Sequence, residues 1–241
     1  MCFDADARPP IPAIVGGPTE ARDLVLTSAD GTRFQADVTR VAARTGAGIV
    51  VLPDVRGLHA HYTELAVRLA EHGVDAVAID FFARTAPTTD RGETFDFMAE
   101  VPKTHPHTLQ ADVAAAVAHL RSRMGGRVRS LSATALGYAG GIAFYGWPLG
   151  PARWPDRPKP IDAVSRFTGP VLSIYGGADP GIPTSAIQAF DGALAKAGVP
   201  HETAIYDGAP HRFLDRRRTE FAEESADAWR RVQKFVRAYT G

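Results

Sequence analysis

The chain is poor in cysteine: Cys2 is the only one among its 241 residues. A single cysteine cannot form an internal disulfide, and it excludes a zinc site built from several cysteines. An excess of charge is also absent, because Lys plus Arg and Asp plus Glu both number 27. Nucleic acid and anionic membranes attract proteins with a basic excess, so we expect neither as a partner.

Long apolar stretches are absent too. No run approaches the ~20 apolar residues of a membrane-spanning helix. Near the N-terminus, Asp4 and Asp6 occupy positions where a signal peptide needs basic residues, and no apolar segment follows. We therefore expect a cytoplasmic protein. Hydrophobic residues make up 45% of the chain, which is enough for the core of one large α/β domain.

Apolar runs alternate with helical patterns along the chain. The continuous apolar run at residues 49–52 is typical of a strand buried on both faces, and three further strands are predicted at residues 74–79, 142–146 and 171–175. Helical spacing of apolar residues separates most of these runs. The alternation predicts a single α/β domain, with a mainly parallel sheet and helices on both faces.

The two ends of this architecture have their own signals. Asp30-Gly31 lies between two strand-like runs, a strong signal for an N-terminal β-hairpin. Residues 1–20 are rich in proline and glycine and predict an irregular arm, followed by the α/β domain over residues 21–241. A helix is predicted from about residue 219 to the end.

Polar residues follow the last two predicted strands. Asp179 closes the run 171–179, and His211 follows the next strand-like run, 203–206. Active groups gather beyond the carboxyl ends of parallel strands, and an acid followed by a histidine is the second half of an α/β-hydrolase triad. A histidine can move the proton of a nucleophile while a carboxylate orients it. The alternative is a turn-capping Asp179 and an unrelated loop histidine, but the joint placement favours the triad.

The nucleophile that should precede this pair is hard to find. Cys2 is at the wrong end of the chain, and Ser132 is the only positional candidate. The sharp elbow that carries a nucleophile needs very small neighbours, and Thr134 fits this poorly. The stretch 128–131 is also too short and polar for the expected central strand, so that strand is predicted to be lost. We favour a strand-and-elbow segment missing near Arg129–Ser132 over a sheet closed in an unusual way.

Taken together, five motifs resemble the dienelactone hydrolase family of α/β-hydrolases. They are Pro-Asp-Val-Arg-Gly at 53–57, Asp-Phe-Phe-Ala-Arg-Thr-Ala-Pro at 80–87, Ala-Phe-Tyr-Gly at 143–146, Tyr-Gly-Gly-Ala-Asp at 175–179 and Pro-His-Arg-Phe at 210–213. The resemblance extends from the hairpin to the last helix. It implies hydrolysis of an enol-lactone or related ester by a cysteine nucleophile, without a metal or organic cofactor.

The resemblance also implies roles for individual residues. Asp179 and His211 match the acid and the base, and Arg84 matches an arginine that binds the substrate carboxylate. Asp54 takes the place of a glutamate that contacts the nucleophile. Two departures stand out: the Gly-x-Cys-x-Gly elbow is absent, and Asp215 stands where a second substrate-binding arginine is expected.

The loop after the strand 49–52 raises two further points. Its backbone N–H groups near Val55 and Arg56 are expected to help hold the oxyanion. His59 and His61 could be a metal-binding pair, but no ligand stands at suitable spacing nearby, so a position at a helix start is favoured.

The sequence therefore predicts a hydrolase of the dienelactone hydrolase type, acting on a small, carboxylate-bearing ester or lactone. The alternative is a non-catalytic protein that binds a small molecule in the same cleft after losing its nucleophile. A purely structural or partner-binding module is disfavoured, because the polar loops converge on one edge of the predicted sheet.

Overall fold

The computed structural model describes residue 9 and residues 19–41, 46–123, 129–131, 140–150, 158–214 and 217–240. These residues fall into two compact units. The first contains the described residues up to Ser130 together with Thr240, and the second runs from Leu131 to Tyr239. Each unit is described by itself.

The first unit is built on a five-stranded sheet in the order β1-β2-β4-β3-β5. β1 and β2 form an antiparallel hairpin around the Asp30-Gly31 turn, where Gly31 has a φ of 86°. β4 pairs antiparallel with β2 and parallel with β3, so the sheet is mixed, while the predicted hairpin is confirmed. The strands are β1 (Thr19–Thr27), β2 (Arg33–Val41), β3 (Ala47–Val51), β4 (Asp75–Ile79) and β5 (Arg129–Leu131).

Helices cover the strands of this sheet. α1 (Ala60–Glu71) packs against β2 and β4, and α3 (Pro106–Arg123) packs against β1, β3 and β4. Between them lie the short helix α2 (Phe97–Glu100) and a 3₁₀ turn (Val101–Lys103). Apolar residues of these helices are buried, namely Tyr62, Ala66 and Leu69 of α1 and Val113, Val117 and Leu120 of α3, and so are Val77 and Ile79 of β4.

The second unit contains a fully parallel three-stranded sheet in the order β6-β7-β8. The strands are β6 (Gly141–Phe144), β7 (Val171–Gly176) and β8 (His201–Tyr206). A 3₁₀ helix (Pro160–Arg166), α4 (Thr184–Lys196) and α5 (Ala222–Thr240) accompany them. Every residue of β7 is buried, as expected for a central parallel strand. One apolar cluster of this unit consists of Val164, Val171, Phe190, Leu194 and Val199.

Some predicted boundaries were wrong. β1 begins at Thr19, inside the predicted arm, and the last helix begins at Ala222 rather than near residue 219. The strand predicted to be lost exists as β5, a three-residue strand beside β3, because sheet pairing overrides the polar composition of that stretch.

In the part of the chain that the structure describes, no helix is both long and apolar enough to cross a membrane.

Candidate active site

Asp179 and His211 meet at the carboxyl ends of β7 and β8. Oδ2 of Asp179 lies 2.5 Å from Nδ1 of His211, so the predicted hydrogen bond is present. The Asp179 side chain is only 3% exposed, whereas that of His211 is 22% exposed. When Nδ1–H donates to a buried carboxylate, Nε2 is left to accept a proton from a neighbouring group. The geometry is therefore suited to a general base.

Contacts between the two loops bring this pair together. β7 and β8 are parallel neighbours, so their carboxyl ends lie side by side. The Ala178 N–H donates to the Ala209 carbonyl oxygen at 2.9 Å. A Cβ on Gly176 would lie 2.4 Å from that same oxygen, so only glycine permits this approach. Oδ1 of Asp179 accepts the Gly181 N–H at 2.8 Å, which fixes the orientation of the carboxylate.

Two aromatic residues that follow β6 border the imidazole. The rings of Tyr145 and His211 have their centroids 5.0 Å apart. The Trp147 ring is nearly parallel to that of His211, with centroids 6.5 Å apart and an interplanar angle of 10°. Tyr145 belongs to one of the five motifs, but neither ring was predicted from the sequence to be part of the site. Both residues follow β6, the strand next to β7, and this position at a strand end could have indicated that they belong to the site.

In the first unit, Asp54 lies in the loop after β3. Its N–H donates to Oη of Tyr62 at 2.8 Å, and its Oδ1 accepts the Arg56 N–H at 2.9 Å. The expectation that the Arg56 N–H helps hold an oxyanion is therefore wrong for this conformation, because that N–H already donates to the Asp54 carboxylate.

His59 is the most unusual polar residue of this loop. It stands at the N-cap of α1, as the helix-start interpretation predicts. It is 6% exposed, and neither ring nitrogen has a hydrogen-bond partner. Its Nε2 lies 3.8 Å from Oδ1 of Asp54. Among the residues that the structure describes, no three His, Cys, Asp or Glu side chains are grouped so that they could hold a metal ion.

We expect His59→Leu to raise the free energy of unfolding by about 1 kcal/mol, because it removes buried polar atoms that lack partners. Urea denaturation of the whole chain measures the change. His107→Leu is the matched control, since His107 is exposed, and it should leave stability unchanged. A loss of stability in His59→Leu would show that the imidazole has a favourable role in the fold.

Arg84 lies in a network of ion pairs and hydrogen bonds within the first unit. Its Nη2 is 2.6 Å from the buried carboxylate of Asp112, and its Nη1 is 2.5 Å from Asp30 and also bonds Thr32. Burial alone would lower the pKa of Arg84, but the bonds to Asp112 and Asp30 outweigh it and raise that pKa. The hydrogen bond from the Thr32 N–H, and to a smaller extent that from Arg84, lowers the pKa of Asp30 to about 2. Arg84 thus links the hairpin turn to α3.

Asp80, the first residue of the motif at 80–87, belongs to a buried ion pair. The Arg91 guanidinium binds it through two contacts of 3.1 and 2.7 Å, and neither side chain is more than 1% exposed. Nη1 of Arg91 also donates to the carbonyl oxygens of Thr88 and Asp90. The guanidinium lies 4.4 Å from the ring centroid of Phe95. This pair therefore holds the loop after β4 in place.

The hairpin, the parallel strands and the Asp179–His211 pair are the features of an α/β-hydrolase. The dienelactone hydrolase family model matches residues 34–240. The chain therefore belongs to the dienelactone hydrolase family. Cys2, Ser132 and Asp215 lie outside the described residues, so the structure gives no position for any of them.

Similar proteins agree with this assignment. The carboxymethylenebutenolidase of Rhodococcus opacus is 30% identical over 257 positions, which cover 99% of this chain and 97% of that protein. A dienelactone hydrolase-like promiscuous phosphotriesterase from metagenomic libraries has a TM-score of 0.74 at 19% identity and covers 93% of this chain and 100% of its own. A Pyrococcus furiosus esterase has a TM-score of 0.62 at 16% identity, and the match covers 97% of this chain and 100% of the esterase chain. These two structures show the shared fold.

The Rhodococcus alignment also bears on the missing elbow. It extends over 257 positions, whereas this chain has 241 residues, so at least 16 of those positions have no counterpart here. The Rhodococcus protein, of which the alignment covers 97%, therefore contains one or more segments that this chain does not have.

Proposed function

We propose that the protein is a carboxylic-ester or lactone hydrolase in which His211 is the general base and Asp179 orients it. The observation that carries this proposal is the 2.5 Å contact between Nδ1 of His211 and Oδ2 of Asp179. Family membership and the carboxymethylenebutenolidase name of the Rhodococcus relative support a lactone or ester as the substrate. A cytoplasmic location remains a prediction from the sequence.

In the proposed mechanism a nucleophile attacks the ester carbonyl and forms an acyl-enzyme. Nε2 of His211 takes the proton of the nucleophile and returns it to the leaving group. Asp179 holds the imidazole by Nδ1 and stabilises the imidazolium that forms in between. Water then attacks the acyl-enzyme, with His211 again acting as the base, and the acid is released.

We propose that the nucleophile comes from a strand-and-elbow segment that belongs between β5 and β6. Two observations support this: the relative has positions without a counterpart here, and β5 and β6 each lie at the end of their own sheet. Exposed strand edges are normally paired or covered, so an additional strand would complete the pairing of an edge. In the complete site, Asp54 would contact this nucleophile from the loop after β3.

The intact mass of the protein isolated from its native source tests this proposal. A mass above 25.8 kDa, with the additional residues located by sequencing around Arg129–Ser132, is the expected result. In that longer protein His211→Gln should lower kcat/KM for an activated ester by about 10⁴-fold. If the longer protein keeps its activity after this substitution, His211 is not the base.

We propose that Arg84 binds a substrate carboxylate by exchanging one of its two carboxylate partners. Asp30 is the candidate for displacement, since its side chain is 47% exposed whereas that of Asp112 is 2% exposed. An incoming carboxylate would then bind between Arg84 and solvent, while Asp112 keeps the guanidinium in place. Paired hydrogen bonds from a guanidinium suit this geometry.

Binding of a carboxylated ester and of its neutral analogue, measured by calorimetry, tests the role of Arg84. We expect the carboxylated compound to bind more tightly, and Arg84→Ala to reduce this preference by about 10- to 100-fold, the value of a charge-assisted hydrogen bond. Asp30→Ala should strengthen the preference, because it removes the competing carboxylate. If wild type and Arg84→Ala each bind both compounds equally, Arg84 does not bind the substrate carboxylate.

A further inference from the structure

Tyr145 has an unusual backbone for a bulky residue. Its φ is 51°, in the left-handed region that aromatic residues seldom occupy, although the next residue, Gly146, could adopt it without strain. Such strain persists only where surrounding contacts hold it, and it is common at functional sites. The Tyr145 N–H donates to the Ile174 carbonyl oxygen at 3.0 Å, which fixes the start of this bend against β7.

The side chain of Tyr145 contacts the turn that carries His211. Its Oη accepts the Leu214 N–H at 3.0 Å, a buried bond between residues 69 positions apart. Its ring lies beside that of His211 and meets the Phe213 ring edge-on at 5.6 Å. One side chain from the end of β6 therefore contacts three of the four residues from 211 to 214.

The His211 turn is itself strained. Arg212, directly after the histidine, has a φ of 68°, also in the left-handed region. Because a non-glycine residue in this region is unfavourable, the turn requires support from other residues. The Tyr145 hydroxyl provides such support by fixing the backbone two residues after Arg212.

We propose that Tyr145 is a positioning residue: its hydroxyl and ring hold residues 211–214 so that Nδ1 of His211 stays in line with the Asp179 carboxylate. The catalytic value of this alignment rests on the proposed function, but the alignment itself does not. Tyr145 takes no part in proton transfer in this proposal. It acts through His211 alone.

The ¹H resonance of the His211 Nδ1–H group, followed by NMR on ¹⁵N-labelled protein, tests this positioning role. A proton held between imidazole and a buried carboxylate resonates far downfield and exchanges slowly with water. We expect Tyr145→Phe to accelerate this exchange at least about 10-fold, because the ring remains but the Leu214 N–H loses its acceptor. Loss of the resonance in His211→Gln assigns it.

Tyr206→Phe is the matched control. It removes the same atom from another tyrosine of the second unit, whose Oη donates to Asp227 at 2.8 Å and whose ring also contacts Phe213. We expect this variant to keep the wild-type exchange rate. If Tyr145→Phe exchanges like wild type, or if both variants accelerate exchange equally, the positioning role is wrong.

A second variant covers the case in which Tyr145→Phe does not fold. Incorporation of 3-fluorotyrosine at residue 145 keeps the ring and hydroxyl but weakens the oxygen as an acceptor, so it should give an intermediate exchange rate. An unchanged rate would contradict the proposal. None of these readouts needs turnover, so a failure of the hydrolase proposal would appear separately, as absent esterase activity with an intact Nδ1–H resonance.

Discussion

Arg91→Met is expected to lower the free energy of unfolding by about 3–5 kcal/mol, the usual cost of leaving one member of a buried ion pair alone. The substitution leaves the Asp80 carboxylate, at 1% exposure, without its cationic partner. It also removes the donor to the carbonyl oxygens of Thr88 and Asp90 and the cation over the Phe95 ring. Urea denaturation followed by circular dichroism measures the loss.

Two further variants separate the ion pair from a general effect of substitution. The double variant Arg91→Met with Asp80→Asn should recover a large part of the loss, because no buried charge then remains. Asparagine can still accept the Phe82 N–H, which Oδ1 of Asp80 accepts at 3.1 Å. Arg217→Ala breaks an exposed pair with Glu220 and should cost less than about 1 kcal/mol. A loss of that small size in Arg91→Met would contradict our interpretation of the loop.

The Asp179–His211 pair could be predicted because it depends on chain order and strand ends alone. Strand-like runs mark β7 and the following strand, and neighbouring parallel strands end at one edge of a sheet. The side chains that follow two such strands are then close whatever the details of the loops. Gly176 strengthens this, since its missing side chain lets the two loops touch.

The partners of Arg84 and Asp80 could not be predicted in the same way. Arg84 binds Asp30 and Asp112, which are 54 and 28 positions away and lie on a turn and a helix. Which carboxylate a long arginine side chain reaches depends on loop conformations that leave no periodic pattern in the sequence. The position of Tyr145 could not be predicted either, because its distinguishing feature is a positive φ angle that leaves no pattern in the sequence.

The stretch around residues 129–140 shows the limits of composition as a guide to structure. Two of the three residues of β5 are Arg129 and Ser130, so propensity argues against a strand there, yet the segment pairs beside β3. Pairing with a neighbouring strand supplies hydrogen bonds that the sequence pattern does not reveal. The lack of an elbow motif is different, because nucleophile chemistry requires particular residue types and no packing can replace them.

The 241-residue chain is expected to have very little esterase activity, because its sequence contains no Gly-x-Cys-x-Gly elbow to supply a nucleophile for His211. Loss of a nucleophile typically costs several orders of magnitude in kcat and leaves residual catalysis from substrate binding and the oxyanion hole. Hydrolysis of an activated aryl ester by purified protein of verified mass measures this. His211→Gln should have almost no further effect on the residual rate, since members of a triad act as a unit.

A serine-directed phosphonate then tests the competing possibility that Ser132 has replaced the missing nucleophile. Thr134, two residues further, is β-branched and opposes the tight elbow that a nucleophilic serine needs, so we expect no stoichiometric labelling at Ser132. Mass spectrometry of peptides from the treated protein locates any label, and Ser132→Ala is the control. Stoichiometric labelling at Ser132, together with a matching loss of turnover, would overturn our view that the nucleophile belongs to a missing segment. Insertion of a strand-and-elbow segment from a family member after Leu131 should instead create activity, and that activity should require both Asp179 and His211.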